Sequence, residues 1–431
     1  MPPIFIKDIS KYKDQPVKLR GWVYNFRSSG SIYFLEFRDG SGFIQIVVSK
    51  KEVDEESWQN CENLTIESSA IIEGTVAEHP KLTNVFEIRA KKIQLVQRAE
   101  EYPIGKKTHG PDFLLDYRHL WLRSPKQWAI QRIRNTIINA TYDYLNAEGF
   151  IKIDAPILTP TSCEGTTTLF EIKYFDLGKA YLSQSGQLYI EAAIMSHGRV
   201  FDFGPTFRAE KSKTRRHLTE FWMMDAEMAF VEHQENMEIQ EKLIGYIVRQ
   251  VLEKCQEELK ILERDIKSLE KIKPQFPKIT YQEAIKKLQK KGSKIKFGDD
   301  FGGDEETLLA TEFDQPLFIE KYPAKIKAFY MKRDSVNPEL ALNNDLLAPE
   351  GYGEIIGGSQ REDDYQTLLK KLKEEKLPVK DFQWYLDLRR YGSVPHSGFG
   401  YGLERITAWL TGVKHIRETI PFPRTINRIR P

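Results

Sequence analysis

The sequence predicts an α+β protein, with a small β-barrel at its N-terminal end and a larger domain that mixes strands with helices. Residues 15–97 alternate apolar and polar positions in short segments separated by turns, which is typical of strands. A helical stripe of apolar residues then precedes residue 150, and two strands joined by a basic loop follow between Phe203 and Phe230. These observations together predict the α+β class.

The barrel prediction rests on five strand-like segments with a helical interruption near Lys51–Asn60. The segments are Val17–Phe26, Ile32–Arg38, Gly42–Val48, Ser69–Val76 and Phe86–Val96. They fit an OB-type barrel, a common reader of single-stranded nucleic acid, although a small β-barrel without a ligand fits equally well. We expect this domain to cover residues 1–97, and a hinge with several prolines and glycines to cover residues 98–125.

Two long helices are predicted in the remainder of the chain. The first runs from Trp128 to Glu148 and ends at Gly149, after which Phe150–Thr159 is interpreted as a strand. The second is a charged amphipathic helix over Asn236–Leu269, which we interpret as a solvated brace.

The hairpin between Phe203 and Phe230 gathers charged and aromatic side chains on one face. Because side chains alternate along a strand, Arg208 and Glu210 share a face. The second strand has one apolar face and an opposite face with polar and aromatic groups, and the loop between the strands is basic. The apolar face holds Trp222, Met224, Ala226, Met228 and Phe230, the opposite face Phe221, Asp225 and Glu227, and the loop Lys211, Lys213, Arg215, Arg216 and His217. This combination suits a nucleotide, whereas a solvated hairpin is the alternative.

A second glycine-rich stretch runs from Gly398 to Arg405. The glycines at 398, 400 and 402 leave one face of a strand bare, so that another backbone or a flat ligand can approach closely. Arg405 then falls in the first turn of a helix, a favourable position for binding phosphate. The spacing matches neither a Walker loop nor the dinucleotide-binding pattern.

Together these stretches resemble motifs 2 and 3 of the class II aminoacyl-tRNA synthetases, in the aspartyl, asparaginyl and lysyl subgroup. Phe150–Thr159 resembles motif 1, and Pro421–Arg424 resembles the end of that subgroup. The resemblance covers nearly the whole chain. It implies a catalytic domain over residues 126–431, built on a mainly antiparallel sheet flanked by helices, with the motifs near 150–160, 203–230 and 398–412. It also implies a homodimer, for which Pro156 suits an interface edge.

Enzymes of this family join an amino-acid carboxylate to the α-phosphate of ATP. They therefore need cations where these two anions meet, and a metal ion on the phosphates. By resemblance, Arg208, Arg405 and Glu354 are the catalytic residues, and Mg²⁺ is held by Glu354 with help from Asp345. Family members often have a hydroxyl three residues after this glutamate, where this chain has Gly357, so waters are expected to complete the coordination. The residues expected to bind ATP are Arg208, Glu210, Arg216, His217, Leu218, Phe221, Glu354, Gly402 and Arg405.

The amino-acid pocket is expected to contain Glu164, Ser185, Gln187, Arg208, Asp225 and Arg361. Glu164 and Gln187 resemble residues that bind the substrate α-ammonium, and Arg361 resembles the arginine that holds the substrate side chain. Aspartyl relatives have a lysine where this chain has Ile190, so a substrate carboxylate would lack its second cation here. Asp225 can accept from an amide NH₂, which favours asparagine over aspartate.

In the barrel, Phe34 and Gln45 resemble the family's ring that stacks on an anticodon base and the amide that reads the central uracil, with a core phenylalanine as the alternative for Phe34. Arg27 is expected to contact the phosphate of the same tRNA segment. The expected function is therefore the ATP-dependent joining of L-asparagine to tRNA(Asn). The alternatives are an aspartyl enzyme of relaxed specificity, a paralogue that makes asparagine without tRNA, and a non-catalytic tRNA-binding protein.

Composition is compatible with this expectation. The 431 residues are 40% hydrophobic and 29% charged, and the net charge is only +2, so any nucleic-acid surface must come from local patches. The three cysteines form no Cys-x-x-Cys pair, and no run of about 18 apolar residues or secretory hydrophobic region occurs. We expect a cytoplasmic protein without a membrane span.

Overall fold

The structure is a computed structural model that describes residues 3–105, 107–163, 169–212 and 214–431. It divides into two compact units, residues 1–110 and residues 111–431, and each is considered by itself. The predicted α+β class and the N-terminal barrel are both confirmed.

The first unit is a closed five-stranded barrel with the order β1-β2-β3-β5-β4. The strands are β1 (Pro16–Ser29), β2 (Ile32–Arg38), β3 (Phe43–Ser49), β4 (Ser69–Glu78) and β5 (Phe86–Gln97), with α1 (Glu55–Glu62) between β3 and β4. All five predicted strands and the helical interruption are therefore present. Buried and exposed side chains alternate along β1, β3 and β4, because the odd or even positions of each strand fill the barrel interior.

Close packing and capping fix the barrel. A Cβ atom at Gly21 would lie 2.0 Å from the carbonyl oxygen of Arg38, so only glycine allows β1 to pass the end of β2 at this point. The Asp54 carboxylate accepts from the Ser57 N–H at 2.7 Å and caps α1.

The second unit combines helices with an eight-stranded and a three-stranded sheet within the described residues. Its helices are α2 (Pro111–Asp116), α3 (Arg118–Trp121), α4 (Pro125–Ala147), α5 (Gln187–His197), α6 (His233–Lys254), α7 (Gln256–Ile261), α8 (Ile266–Glu270), α9 (Tyr281–Lys290), α10 (Gly303–Ala310), α11 (Tyr365–Glu374), α12 (Gln383–Asp387) and α13 (Leu403–Thr411). Its strands are β6 (Ile151–Lys152), β7 (Leu158–Thr159), β8 (Glu171–Lys173), β9 (Lys179–Leu182), β10 (Arg199–Phe207), β11 (Glu220–Ala229), β12 (Lys278–Thr280), β13 (Leu317–Glu320), β14 (Asn343–Ala348), β15 (Gly353–Gln360) and β16 (His396–Gly402).

The large sheet has the order β12-β13-β14-β15-β16-β11-β10-β6 and is mainly antiparallel, as expected. Only its two outermost pairs, β12 with β13 and β10 with β6, run parallel. Helices α4, α6 and α13 cover one side of the sheet, and their apolar stripes bury residues such as Ile137, Leu243 and Trp409 in the main core. β7, β9 and β8 form the three-stranded sheet.

The predicted hairpin is confirmed as β10 and β11, which pair from Arg199–Met228 to Phe207–Glu220. The expected apolar face is only partly correct, because Trp222 is 40% exposed and Phe230 lies beyond the strand with 74% exposure. Met224, Ala226 and Met228 are fully buried. Asp225 and Glu227 on the opposite face are also buried, so both faces of this central strand are covered.

Two further predictions need correction. The helix expected over Asn236–Leu269 is three helices, α6, α7 and α8, because the backbone departs from helical geometry at Cys255 and again near Glu263. The strand expected over Phe150–Thr159 is reduced to the two-residue strands β6 and β7.

The segment 98–125 contains α2 and α3, and the Arg118 guanidinium is buried against the carbonyls of Glu418, Ile420 and Pro421. The role of this segment as a hinge stays a prediction.

No helix in the described part of the chain is long and apolar enough to cross a membrane. The three cysteines are all buried and unoxidised.

Candidate active site

One cavity in the second unit brings together every predicted catalytic-domain site residue that the structure describes. Its walls come from β11, β14, β15 and β16, from the first turns of α5 and α13, and from the loops after β9 and β10. The predicted residues that line it are Ser185, Gln187, Arg208, Glu210, Arg216, His217, Leu218, Phe221, Asp225, Asp345, Glu354, Arg361, Gly402 and Arg405. Glu164 lies outside the described residues. The roles assigned to these residues stay predictions.

The glycines of β16 make room for two carboxylates. Gly400 pairs with Asp225 and Gly398 with Glu227 across the β11–β16 ladder. A Cβ atom at Gly400 would lie 2.3 Å from Asp225 Oδ1, and one at Gly398 would lie 2.0 Å from Glu227 Oε1. The bare face expected from the sequence is therefore present, and neighbouring acidic side chains occupy part of it.

Asp225 is held at one end of the cavity by two donors. Its Oδ2 accepts from the Ser185 hydroxyl at 2.8 Å and from the Gly186 N–H at 2.9 Å. These contacts fix the carboxylate against the loop that follows β9.

Arg361, at the end of β15, forms a buried ion pair with Glu227. Its Nε donates to both Glu227 oxygens at 3.1 and 3.2 Å, its Nη2 donates to Oε1, and its Nη1 donates to the Ser359 hydroxyl at 2.6 Å. Both charged side chains are at most 4% exposed. Burial disfavours the charged form of each group, but the Glu227 carboxylate outweighs this for Arg361 and raises the pKa of that guanidinium. Glu227 was placed on this face by sequence, but its pairing with Arg361 was not foreseen.

Gln187 begins α5, and its Nε2 donates to Glu191 one turn later at 3.1 Å. Glu191 is fully buried; burial disfavours its charged form, but Arg389 and His396 outweigh this and lower its pKa. Ile190, at the position of the aspartyl lysine, packs in an apolar cluster with Ile194 and Val200 and is not among the cavity-lining residues. No cationic side chain therefore enters the cavity from position 190.

At the other end of the cavity, two carboxylates flank Gly357 and each is paired with a cation. Arg405 Nη1 donates to Glu354 Oε2 at 3.0 Å, and Lys327 Nζ donates to Asp345 Oδ2 at 3.2 Å. A Cβ atom at Gly357 would lie 3.3 Å from Glu354 Oε1 and 4.0 Å from Asp345 Oδ1. The two acidic groups therefore face a common space.

These two carboxylates suit a hard divalent cation. No group of three or more His, Cys, Asp or Glu side chains within the described ranges is arranged to hold a metal ion. Magnesium, however, commonly uses only one or two carboxylates and completes its shell with water and phosphate oxygens. Burial disfavours the charged form of Glu354, but Arg405 and Lys327 lower its pKa, so the group is ionised at neutral pH.

Arg216, in the loop between β10 and β11, is anchored to α10. Its Nη1 donates to Glu306 Oε2 at 2.8 Å, and its Nη2 donates to the Thr307 hydroxyl at 2.7 Å and to the Gly351 carbonyl. Burial, with the nearby Glu354 charge, raises the pKa of Glu306 to about 6.

The same loop contains Arg208, Glu210 and His217, and Phe221 follows it in β11. His217 lies with its Nε2 3.8 Å from Glu210 Oε1, and burial lowers its pKa. The Arg208 guanidinium lies over the Phe221 ring, 5.5 Å from its centroid. β10 ends at Phe207, so Arg208 follows the strand rather than belonging to it, and the strand alternation expected to place Arg208 and Glu210 on one face does not apply.

Lys327 and Glu306 line or border the cavity and were not identified from sequence. Lys327 precedes an aromatic run, and Glu306 lies in an acidic helix turn, so neither has a motif around it. Lys327 can be recognised as a site residue only when pairing of β14 with β15 has brought Asp345 and Glu354 together beside it.

In the first unit, the three predicted anticodon residues lie together in a shallow depression on the outer face of β1, β2 and β3. Its lining also includes Asn25, Glu36 and Phe43. The Arg27 guanidinium stacks over the Phe34 ring at 4.6 Å, and Gln45 Nε2 donates to Glu87 at 2.9 Å. Phe34 is half-buried and outside the barrel core, whereas its neighbours Leu35 and Phe37 fill that core.

Comparison with known proteins identifies the class. Residues 110–426 match the tRNA synthetases class II (D, K and N), and residues 17–96 match the OB-fold nucleic acid binding domain. The chain therefore belongs to the class II tRNA synthetases, and the expected family and fold are confirmed.

Solved structures of tRNA synthetases are similar to this chain over its full length. The chain is 46% identical to an asparaginyl-tRNA synthetase from Pyrococcus horikoshii complexed with asparaginyl-adenylate, with a TM-score of 0.96 and 100% of each chain covered. It is 30% identical to an Entamoeba histolytica asparaginyl-tRNA synthetase in complex with asparaginyl-adenylate, with a TM-score of 0.89 and 100% of each chain covered. An aspartyl tRNA synthetase from Entamoeba histolytica is also 30% identical, with a TM-score of 0.84 and coverage of 100% of this chain and 93% of the other.

Proposed function

We propose that this chain is an asparagine–tRNA ligase. In the first step, a carboxylate oxygen of L-asparagine bonds to the α-phosphorus of ATP, the bond to the bridging oxygen breaks, and pyrophosphate leaves. In the second step, a ribose hydroxyl of tRNA(Asn) attacks the asparaginyl carbonyl, and AMP leaves. The pairing of Arg361 with Glu227 at the Asp225 end of the cavity is the observation that carries the choice of asparagine.

A neutral amide fits this end better than a carboxylate. Arg361 can give its remaining hydrogen-bonding capacity to an amide oxygen, but Glu227 already balances its charge. Asp225 of β11 lies close to Gly400 of the neighbouring strand β16, and its carboxylate would repel a substrate carboxylate there. An aspartate side chain would lose its hydration without gaining an unbalanced cation, which is costly in a buried site.

Arg208, Arg405 and Arg216 have complementary roles in the activation step. Arg208 bridges the substrate carboxylate and the α-phosphate and stabilises the charge that develops there, for which a planar guanidinium is well suited. Arg216, His217 and Arg405 hold the β- and γ-phosphates. Phe221 stacks on the adenine, in keeping with its half-buried ring beside Arg208.

Glu354 and Asp345 would hold Mg²⁺ at the ATP phosphates, where the ion would neutralise phosphate charge. Glu354 would bind it directly, and Asp345 would contribute through a water while Lys327 stays beside it. The Arg405 guanidinium, which donates to Glu354, binds phosphate beside this site.

Glu164, Ser185 and Gln187 receive the α-ammonium end of the amino acid. In the first unit, Phe34 stacks on an anticodon base of tRNA(Asn), Gln45 reads the central base and Arg27 contacts phosphate. The functional protein is a homodimer in the cytoplasm.

Aminoacylation of transcribed tRNA(Asn) and tRNA(Asp) with labelled asparagine or aspartate tests this proposal. The expected result is labelled tRNA(Asn) with asparagine only, dependent on ATP and Mg²⁺. Charging of tRNA(Asp) with aspartate would establish an aspartyl enzyme instead. Formation of free asparagine from aspartate, ATP and ammonia without tRNA would establish the amidating alternative.

A further inference from the structure

The fully buried carboxylate of Glu191 accepts hydrogen bonds on both of its oxygens, and the two oxygens have different partners. Oε1 accepts from Gln187 Nε2 at 3.1 Å. Oε2 accepts from the Tyr385 hydroxyl at 2.7 Å and from Arg389 Nη2 at 2.7 Å, and the His396 ring nitrogen lies 3.2 Å from it. The strong donors therefore converge on Oε2, and Oε1 is left for Gln187.

This asymmetry determines which way the Gln187 amide faces. An ionised carboxylate only accepts hydrogen bonds, so the amide nitrogen of Gln187 must face Glu191. Gln187 and Glu191 are four residues apart on α5, which places them on one helix face within reach of each other. Since Gln187 also lines the cavity, its amide oxygen is the atom offered to a ligand there.

An amide oxygen suits the α-ammonium of an amino acid, because an ammonium group only donates. The opposite amide orientation would direct two N–H donors at a cation. We infer that Glu191 is a positioning residue that fixes Gln187 with its amide oxygen toward the substrate α-ammonium. This inference rests on the proposed function, because it assumes that the cavity binds a free amino acid.

The substitution Glu191→Gln tests the orientation directly. Tyr385, Arg389 and His396 would keep the oxygen of the new amide on their side, so its NH₂ would face Gln187 and force that amide to turn. We expect the KM of asparagine in pyrophosphate exchange to rise about tenfold, with the KM of ATP within twofold of the unmodified protein. Asparagine lacking the α-amino group (3-carbamoylpropanoate) should inhibit both proteins equally, because it has no ammonium to repel.

A compensating change provides the second arm. In the double variant Glu191→Gln with Gln187→Glu, the amide at 191 donates to one oxygen of the carboxylate at 187, and the other oxygen faces the ammonium. We expect this double variant to recover most of the lost asparagine affinity. Tyr385→Phe is the matched control, since it removes a donor from Oε2 and leaves the Gln187 contact in place, and its asparagine KM should stay within twofold.

Several outcomes would overturn the inference: an unchanged asparagine KM in Glu191→Gln, equal weakening of asparagine and its deamino analogue, or no recovery in a folded double variant. If Glu191→Gln does not fold, the asparagine KM of the single variant Gln187→Glu tests the inference instead. Glu191 should then repel the new carboxylate and weaken asparagine binding, whereas tighter binding would show that Gln187 acts independently. If the unmodified protein activates aspartate instead, the proposed function fails, and the same comparison with aspartate and succinate still tests Glu191.

Discussion

Charged side chains in and behind the cavity form ion pairs, so the effect of substituting one residue depends on the partner that is left behind. A buried ion pair adds little by itself to the free energy of unfolding, but removing one partner leaves an uncompensated charge in a poorly solvated site. Four such pairs of described residues lie in the cavity wall or behind it. They are Arg361–Glu227, Arg389–Glu191, Arg405–Glu354 and Lys327–Asp345.

Arg405→Ala should lower asparagine-dependent pyrophosphate exchange by at least tenfold. It removes a charge-assisted phosphate contact worth about 1.5–3 kcal/mol and leaves Glu354 without the guanidinium that holds it at 3.0 Å. Arg390→Ala is the matched control, because Arg390 is 51% exposed and pairs only weakly with Asp387 at 3.5 Å. Exchange rates of the two variants at saturating ATP make the comparison. Near-normal exchange by Arg405→Ala would contradict its phosphate-binding role.

At the scale of elements, the barrel and the large sheet each bring the predicted site residues to one face. On β2, Leu35 and Phe37 fill the barrel core while Phe34 lies on the outer surface beside Arg27 of β1. In the second unit, the registers of β11, β15 and β16 bring Asp225, Gly400 and Gly357 to neighbouring positions.

Phe34→Ala should reduce tRNA charging without reducing pyrophosphate exchange. Loss of one stacked base costs about 1–3 kcal/mol. The described residues that line the cavity all belong to the second unit. Phe5→Ala removes another phenylalanine of the same unit, 59% exposed and away from the depression, and should leave both activities unchanged. Parallel loss of charging and exchange in Phe34→Ala would make Phe34 a folding residue.

The segment after α13 contains a histidine whose protonation should oppose folding. Burial lowers the pKa of His415 to about 4, with Arg417 and Arg215 adding to the effect. The unfolded chain, with an ordinary value near 6.5, binds this proton first as pH falls. Stability due to His415 is therefore complete above about pH 6.5 and is lost between about pH 6.5 and 4. His415→Gln should reduce the fall in melting temperature between pH 7 and pH 5, and an unchanged fall would contradict this assignment.

Periodicity and motif spacing predicted the barrel strands, α4, the β10–β11 hairpin and the glycine strand β16. Each of these elements follows from a pattern among residues that are close together in the sequence. The ion pair of Arg361 with Glu227 joins residues 134 positions apart, and no local pattern reports it. Lys327 and Asp345 are 18 positions apart, and no local pattern reports their contact either. The break at Cys255 was missed because charged helical periodicity continues across it. The motif 1 strand was overestimated because only Ile151–Lys152 and Leu158–Thr159 pair with other strands, and the apolar pattern of the segment does not show where pairing stops.

At the scale of the whole molecule, exposed apolar side chains in the segment that resembles motif 1 bear on how the chain assembles. Ile151, Ile157 and Leu158 are 42–47% exposed and lie in the segment that resembles motif 1. Large exposed apolar patches are typical of interfaces, and these three residues lie within eight positions of one another in the segment expected to form one.

We expect a homodimer, and Ile157→Glu should shift it toward the monomer by burying an unpaired charge in the interface. Light scattering at micromolar concentration measures the mass of both proteins directly. Phe175→Glu, at a residue that is 79% exposed in the turn between β8 and β9, shows whether any apolar-to-acidic change has the same effect. A monomeric unmodified protein would contradict the dimer.

The central claim is that the Arg361–Glu227 pair and Asp225 select a neutral side chain. ATP–pyrophosphate exchange with asparagine and aspartate in parallel, on the unmodified protein and without tRNA, tests it most directly. We predict that kcat/KM favours asparagine by at least about 100-fold, corresponding to roughly 3 kcal/mol of differential binding. Equal exchange with aspartate would contradict the claim and make the cavity an aspartyl site.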